Sequence, residues 1–146
     1  MTRLFAPFIR LFERIPYSFI ALLARLSVAW PIWEAGRARV SGGWNLWEPR
    51  SSTMTMYLGG WNIRWIPYEV AAIATQLAEF ALPILLAVGL ASRFAALGLL
   101  VLIIVFEVFV HPGPYALHGA WAALLLLIIK AGPGSFSLDG ALGRRG

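Results

Sequence analysis

The chain has 146 residues, 60% of them apolar and 13% charged, with a net charge of +5 and no cysteine. That is too little polar surface for a soluble domain of this size. The absence of cysteine excludes protein disulfides, thiolate metal sites, cysteine-ligated iron–sulfur clusters and thiol nucleophiles, and the arginines are spread among loops rather than gathered into a nucleic-acid patch.

Residues 3–15 place Leu4, Phe5, Phe8, Leu11, Phe12 and Ile15 on one helical face and Arg3, Arg10 and Glu13 off it. This predicts a short amphipathic helix lying on the membrane surface. No small-residue cleavage site follows the first apolar run, so the segment reads as an anchor rather than a cleaved signal. Pro16 then resets the chain direction.

Four apolar segments follow, at about 18–36, 68–90, 93–111 and 114–131. Each approaches the ~20 residues that a helix needs to cross hydrocarbon. The expected fold is all-α, a four-transmembrane-helix bundle in one membrane domain spanning 1–146. With four spans, Arg3, Arg10, Arg14, Arg93, Lys130, Arg144 and Arg145 share one side, and Arg37, Arg39, Arg50 and Arg64 the other. The basic excess places both termini in the cytoplasm.

Residues 37–67 form the loop between the first two spans. It carries GGWN twice, at Gly42–Asn45 and Gly59–Asn62, and is rich in aromatics: Trp44, Trp47, Tyr57, Trp61, Trp65 and Tyr68. Such rings suit the headgroup zone, and the loop is expected to cap the outer mouth of the bundle. Gly89–Arg93 forces a tight hairpin between the second and third spans, and His111-Pro-Gly-Pro turns the third into the fourth.

The ionisable groups within the spans are the functional candidates, because charge in hydrocarbon is costly and rarely left alone. Glu79 lies roughly 16 Å into its helix and Arg25 roughly 10 Å from the inner surface, levels about one turn apart. The two are expected to pair. Glu69, Gln76, Glu79 and Pro83 share one stripe of the second span; Trp30, Trp33, Glu34 and Arg37 make another on the first. Glu107 and His111 are four apart, and His118 and Trp121 three apart. The expected polar cavity therefore comprises Arg25, Glu34, Glu69, Gln76, Glu79, Glu107, His111, His118 and Trp121, opening outward under the aromatic cap. A plainer account stands beside it. Glu34, Glu69 and His111 lie near helix ends and could simply touch water, and Arg25–Glu79 could be a structural pair.

Metal binding is a weaker expectation. Glu107, His111 and His118 are an acceptable ligand set for iron or zinc, and Met54 and Met56 offer two thioethers for Cu(I). No phosphate loop, dinucleotide fingerprint or serine triad is present.

Several stretches resemble the DoxX-like (DoxX/DoxD) small integral membrane proteins. They are Trp33-Glu34-Ala35-Gly36-Arg37, LAEFALPILLAVGLASRFAAL at 77–97, HGAWAALLLLIIKAGPG at 118–134 and GPGSFSLDGAL at 132–142. The resemblance implies a four-helix protein of the bacterial or archaeal inner membrane, linked to redox assemblies, oxidative-stress defence or metal handling. It carries no catalytic motif onto particular residues. The first expectation is a membrane subunit of a redox assembly whose cavity takes a quinone head group. The alternatives are a small transporter or metal-handling membrane protein, or a non-catalytic scaffold. Expected partners are the bilayer and a redox or metal-handling protein, with homo-oligomerisation left open.

Overall fold

A computed structural model describes residues 12–43, 45, 48–61 and 63–143. The surface helix expected at 3–15 lies almost wholly outside the described residues, as do Trp44, Trp47 and Asn62 of the loop.

Six α-helices and one short 3-10 turn, Ser41–Gly43, are found among the described residues. The α-helices are α1 (Tyr17–Arg39), α2 (Ser51–Gly60), α3 (Tyr68–Val88), α4 (Ser92–Phe109), α5 (Tyr115–Ala131) and α6 (Leu138–Gly143). Three of them, α1, α3 and α4, are long and apolar enough to cross a membrane; α5 is as apolar but has 17 residues. α1 packs most extensively on α3, α4 lies between α3 and α5, and α5 also touches α1.

Each long helix has one buried stripe at three- and four-residue spacing. In α1 it runs through Ala21, Ala24, Arg25, Val28, Ile32 and Gly36; in α4 through Ser92, Ala95, Ala96, Leu99, Ile103 and Phe106. The opposite face of α4, Phe94, Leu97, Val101, Ile104 and Val108, is exposed over about half of each residue or more. A continuous apolar stripe on the outside is the pattern of a helix that faces lipid. Small residues line the α1–α3 contact. A Cβ on Gly36 would stand 3.1 Å from the Cβ of Glu79, so the glycine lets the two helices approach closely.

Two elements depart from the expected layout. The first span was expected to end at Gly36, but α1 continues through Arg39 because no breaker intervenes before Ser41-Gly42. There Gly42 takes φ 66° and the chain reverses into a bridge between Val40 and Pro49. The loop also contains α2. Its Tyr57 is 1% exposed and packs with Ala71, Ala72, Phe106 and Val110. Tyr57 is thus core rather than a headgroup anchor, whereas Trp65 is 88% exposed.

At the opposite end, α3 finishes on Gly89 in the left-handed region, φ 76°, with its N–H on the carbonyls of Leu85 and Leu86. A Cβ there would strike the Arg25 guanidinium and Ser137, so both conformation and space require glycine. The tail 132–143 folds over this end. Tyr17 Oη donates to the Gly132 carbonyl at 2.6 Å, the Ser18 and Ser135 hydroxyls hydrogen-bond at 2.6 Å, and Asp139 N–H donates to the Gly89 carbonyl at 2.9 Å.

Asp139 caps α4 from a distance. Its carboxylate accepts from the Ala91 and Ser92 N–H groups and the Ser92 hydroxyl, each at 2.8 Å. These are donors that the helix start would otherwise leave unanswered. Partial burial raises the carboxyl's proton affinity, but the hydrogen bonds from Ser92 and Ala91 outweigh it and hold the pKa below its ordinary 3.8. A carboxyl held low binds fewer protons folded than unfolded, so its stabilisation is complete above its unfolded pKa and fades as pH falls through the lowered value. Asp139→Ala should cost roughly 1–2 kcal/mol at neutral pH, read from thermal unfolding in detergent. The gap from wild type should narrow below about pH 4; a gap independent of pH would contradict this role.

Candidate functional site

The site begins with the extra turn of α1. Arg39 stands one turn beyond Gly36 on the same face, the face that abuts Glu79 of α3. Its Nη1 donates to Glu79 Oε1 in an ion pair whose carboxylate side chain is only 4% exposed. The other carboxylate oxygen, Oε2, is buried with no hydrogen-bond partner among the described residues. The Arg39 guanidinium also lies over the Phe106 ring, 4.6 Å from its centroid.

A second pair is built across the turn between α4 and α5. Glu107 Oε1 accepts from the Gly113 N–H at 2.9 Å, while His118 Nδ1 donates to Oε2. That leaves Nε2 as the atom with which His118 can accept or release a proton. The imidazole is fixed further by aromatic neighbours. Trp121 lies 5.6 Å away centroid to centroid, and Phe106 meets it edge-on at 6.5 Å. Phe106 therefore has the Arg39 guanidinium on one side and the His118 ring on another.

Between the pairs lies a cavity of about 80 Å³ lined by Ile32, Ala35, Arg39, Glu79, Leu102, Ile103, Phe106, His118 and Trp121. α1, α3, α4 and α5 all contribute. At ~30 Å³ per water, it has room for two or three.

Of the expected cavity residues, Glu79, His118 and Trp121 meet here, with Glu107 bonded behind His118. Gln76 is buried one turn from Glu79 on α3. Glu69 is half-buried in the first turn of α3 and does not line the cavity, His111 is exposed past the end of α4, and Glu34 is exposed on the outer side of α1. Trp30 and Trp33 border an apolar groove between α1 and α3 that also takes in Leu26, Ala29 and Pro83.

The expected Arg25–Glu79 pair is not formed. Arg25 is completely buried, but its Nη1 donates to the carbonyls of Leu86 and Ala87, at 3.5 and 3.3 Å, and its Nη2 to that of Phe136. The last carbonyls of α3 have no N–H within the helix, and a cation suits that negative end. Glu79 is taken instead by Arg39, which had been placed in the loop. Arg39 and Phe106 are the site residues that sequence reasoning missed. The signal for Arg39 was the three-residue step from Gly36 within a run that holds no helix breaker.

Among the described residues, no group of three or more His, Asp or Glu side chains is gathered closely enough to hold a metal ion. His111 does not join Glu107 and His118 in such a set. Met54 and Met56 are half-buried against the Tyr57 cluster.

A model of the DoxX family matches residues 20–112. The chain belongs to the DoxX family. No curated protein and no solved structure matches it. With its apolar helices and lipid-facing stripes, this DoxX-family chain is a multi-pass membrane protein in contact with the bilayer. The matched region holds Arg25, Glu34, Glu79, Glu107 and His111 but stops before α5, which brings His118 and Trp121.

Removing one partner of a buried ion pair leaves a charge with nothing to answer it. Arg39→Met should destabilise the protein by roughly 3–5 kcal/mol. Arg39→Met combined with Glu79→Leu should recover most of that loss, because neither charge then remains. Thermal unfolding in detergent reads both, and a double variant no better than Arg39→Met would show that Glu79 is answered by something else.

Proposed function

We propose that this DoxX-family chain is the membrane subunit of a redox assembly in a bacterial or archaeal inner membrane, and that the cavity between Glu79 and His118 receives a quinone head group. In this reading α5 is a fourth span, both termini face the cytoplasm and α2 covers the outer mouth. The observation that carries the proposal is the convergence of a carboxylate from α3 and an imidazole from α5 on one small space walled by aromatic faces.

The chemistry follows from that pairing. Reduction of a quinone consumes two electrons and two protons and leaves a quinol. Electrons arrive from a partner subunit; this chain supplies hydrogen bonds and protons. His118 Nε2 can donate to a quinone oxygen while Glu107 stabilises the imidazolium from Nδ1. Glu79 exchanges protons on the other side, with Arg39 balancing its charge. A head group needs more than the present 80 Å³. It enters by displacing the water-sized space and swinging Trp121, which is half-buried and walls the site.

Quenching of intrinsic tryptophan fluorescence by a short-chain quinone tests this. Trp121 stands in the cavity, so Trp121→Phe should remove most of the saturable quenching despite leaving six tryptophans in place. His118→Ala should weaken the apparent affinity about tenfold, equivalent to ~1.4 kcal/mol. Quenching that never saturates, or that Trp121→Phe leaves intact, would sink the proposal. So would gently extracted protein that holds phospholipid alone.

A further inference from the structure

A second cleft lies at the far end of the bundle, unconnected with the chemistry above. It measures about 440 Å³ and is walled by the start of α4 (Ala91, Ser92, Arg93, Phe94) and by the tail from Ala131 to Gly134 with Asp139 and Gly140. We propose that this cleft binds the phosphate of an anionic phospholipid, with Arg93 as its principal contact.

Charge is the first argument. Among the described residues Arg93 is the only cationic side chain lining the cleft; it is exposed and forms no hydrogen bond or ion pair with them. Its guanidinium lies along Gly132, where an added Cβ would stand 3.5 Å from Nη2 and 3.8 Å from Nε. The glycine leaves the cleft wall bare at the place the guanidinium occupies. Asp139 also lines the cleft, but its oxygens are engaged by Ala91 and Ser92 and face the helix start. Lys130, exposed in the last turn of α5, directly precedes Ala131 of the cleft wall in the chain, and buried Arg25 acts on Asp139 from within the bundle. With the Asp139 carboxylate answered by the Ala91 and Ser92 donors and by Arg25, Arg93 is the charge left to face the cleft.

Depth is the second argument. The exposed apolar stripe of α4 begins at Phe94, which is 78% exposed, and runs away from the cleft through Leu97 and Val101. The cleft therefore sits just outside the hydrocarbon edge, the level of lipid phosphates. A phosphate held by Arg93 would lay its acyl chains along that stripe. Basic pockets at helix ends recognise anionic headgroups in this way, and a guanidinium offers paired N–H donors to a phosphate diester. A zwitterionic headgroup would bring its own cation against Arg93, so the site favours a net negative lipid.

The test uses the full chain in mixed micelles, with native mass spectrometry to count retained lipid. Wild type should retain phosphatidylglycerol over phosphatidylcholine, and more of it at low salt than at high. Arg93→Gln should lower phosphatidylglycerol retention about tenfold, Arg93→Lys should keep part of it, and Arg64→Gln, an exposed arginine beyond the site, should match wild type. Equal retention of the two lipids by wild type, a comparison that needs no variant, would overturn the proposal. Unchanged retention by a folded Arg93→Gln would do the same. Displacement of the lipid by millimolar inorganic phosphate would reassign the cleft to a soluble anion and overturn the lipid assignment.

Discussion

Hydrocarbon cannot answer a guanidinium, and α1 carries two of them on its buried side. Arg25 and Arg39 are separated by about four helical turns, so they project from nearly the same face. Each finds its acceptor on α3: Arg25 at the carbonyls that end the helix, Arg39 at the carboxylate of Glu79. Rotating α1 by a single residue would turn both groups by about 100° and strand them together. The two arginines therefore fix the rotation of α1 against α3 more sharply than its apolar surface can. Apolar side chains are nearly as well placed in lipid as in the bundle. Gly36, whose added Cβ would stand 3.1 Å from that of Glu79, allows the backbones to come close there.

The rest of the α2 end is organised around the same residue. The Arg39 carbonyl accepts from the Arg50 N–H at 2.7 Å and from the Thr53 hydroxyl at 3.3 Å. The start of α2 is thus seated on the backbone of the residue whose side chain holds Glu79. The other end of α2 is held by contact: a Cβ on Gly60 would overlap the Val110 carbonyl just past α4. Tyr57 fills the space between. Movement of α2 must disturb the backbone of Arg39.

The long apolar helices were legible because their signal is length plus a three-to-four-residue period, and both survive without knowledge of neighbours. The Glu107–His118 contact was legible in outline too, since His111-Pro-Gly-Pro folds the ends of two helices together. Partner choice was not. Depth placed Arg25 and Glu79 within a turn of each other, but depth is one coordinate, and the long arginine side chain turned toward the helix terminus. Glu34 shares a stripe with Trp30 and Trp33, yet a shared face does not say whether it looks inward; here it looks out. α2 was hidden for another reason. Its sequence, SSTMTMYLGG, has two threonines and two terminal glycines, and its helix rests on the burial of Tyr57 rather than on local preference.

The two arginines also divide the bundle chemically. Arg25 is answered by backbone carbonyls, which have no proton to give and no charge to change, and the tail closes over it through Phe136, Ser135 and Asp139. That end is fixed. Arg39 is answered by a carboxylate, and the space beside that carboxylate reaches an imidazole bonded to a second carboxylate. Each of those groups can gain or lose a proton, and doing so changes which hydrogen bonds the others can make. Had Arg25 taken Glu79, as their depths suggested, the last carbonyls of α3 would be left without a cation and Arg39 would sit in the loop with no reason to fold inward. The observed exchange of partners puts backbone carbonyls against Arg25 at one end and brings Glu79, Glu107 and His118 together with Arg39 toward the other.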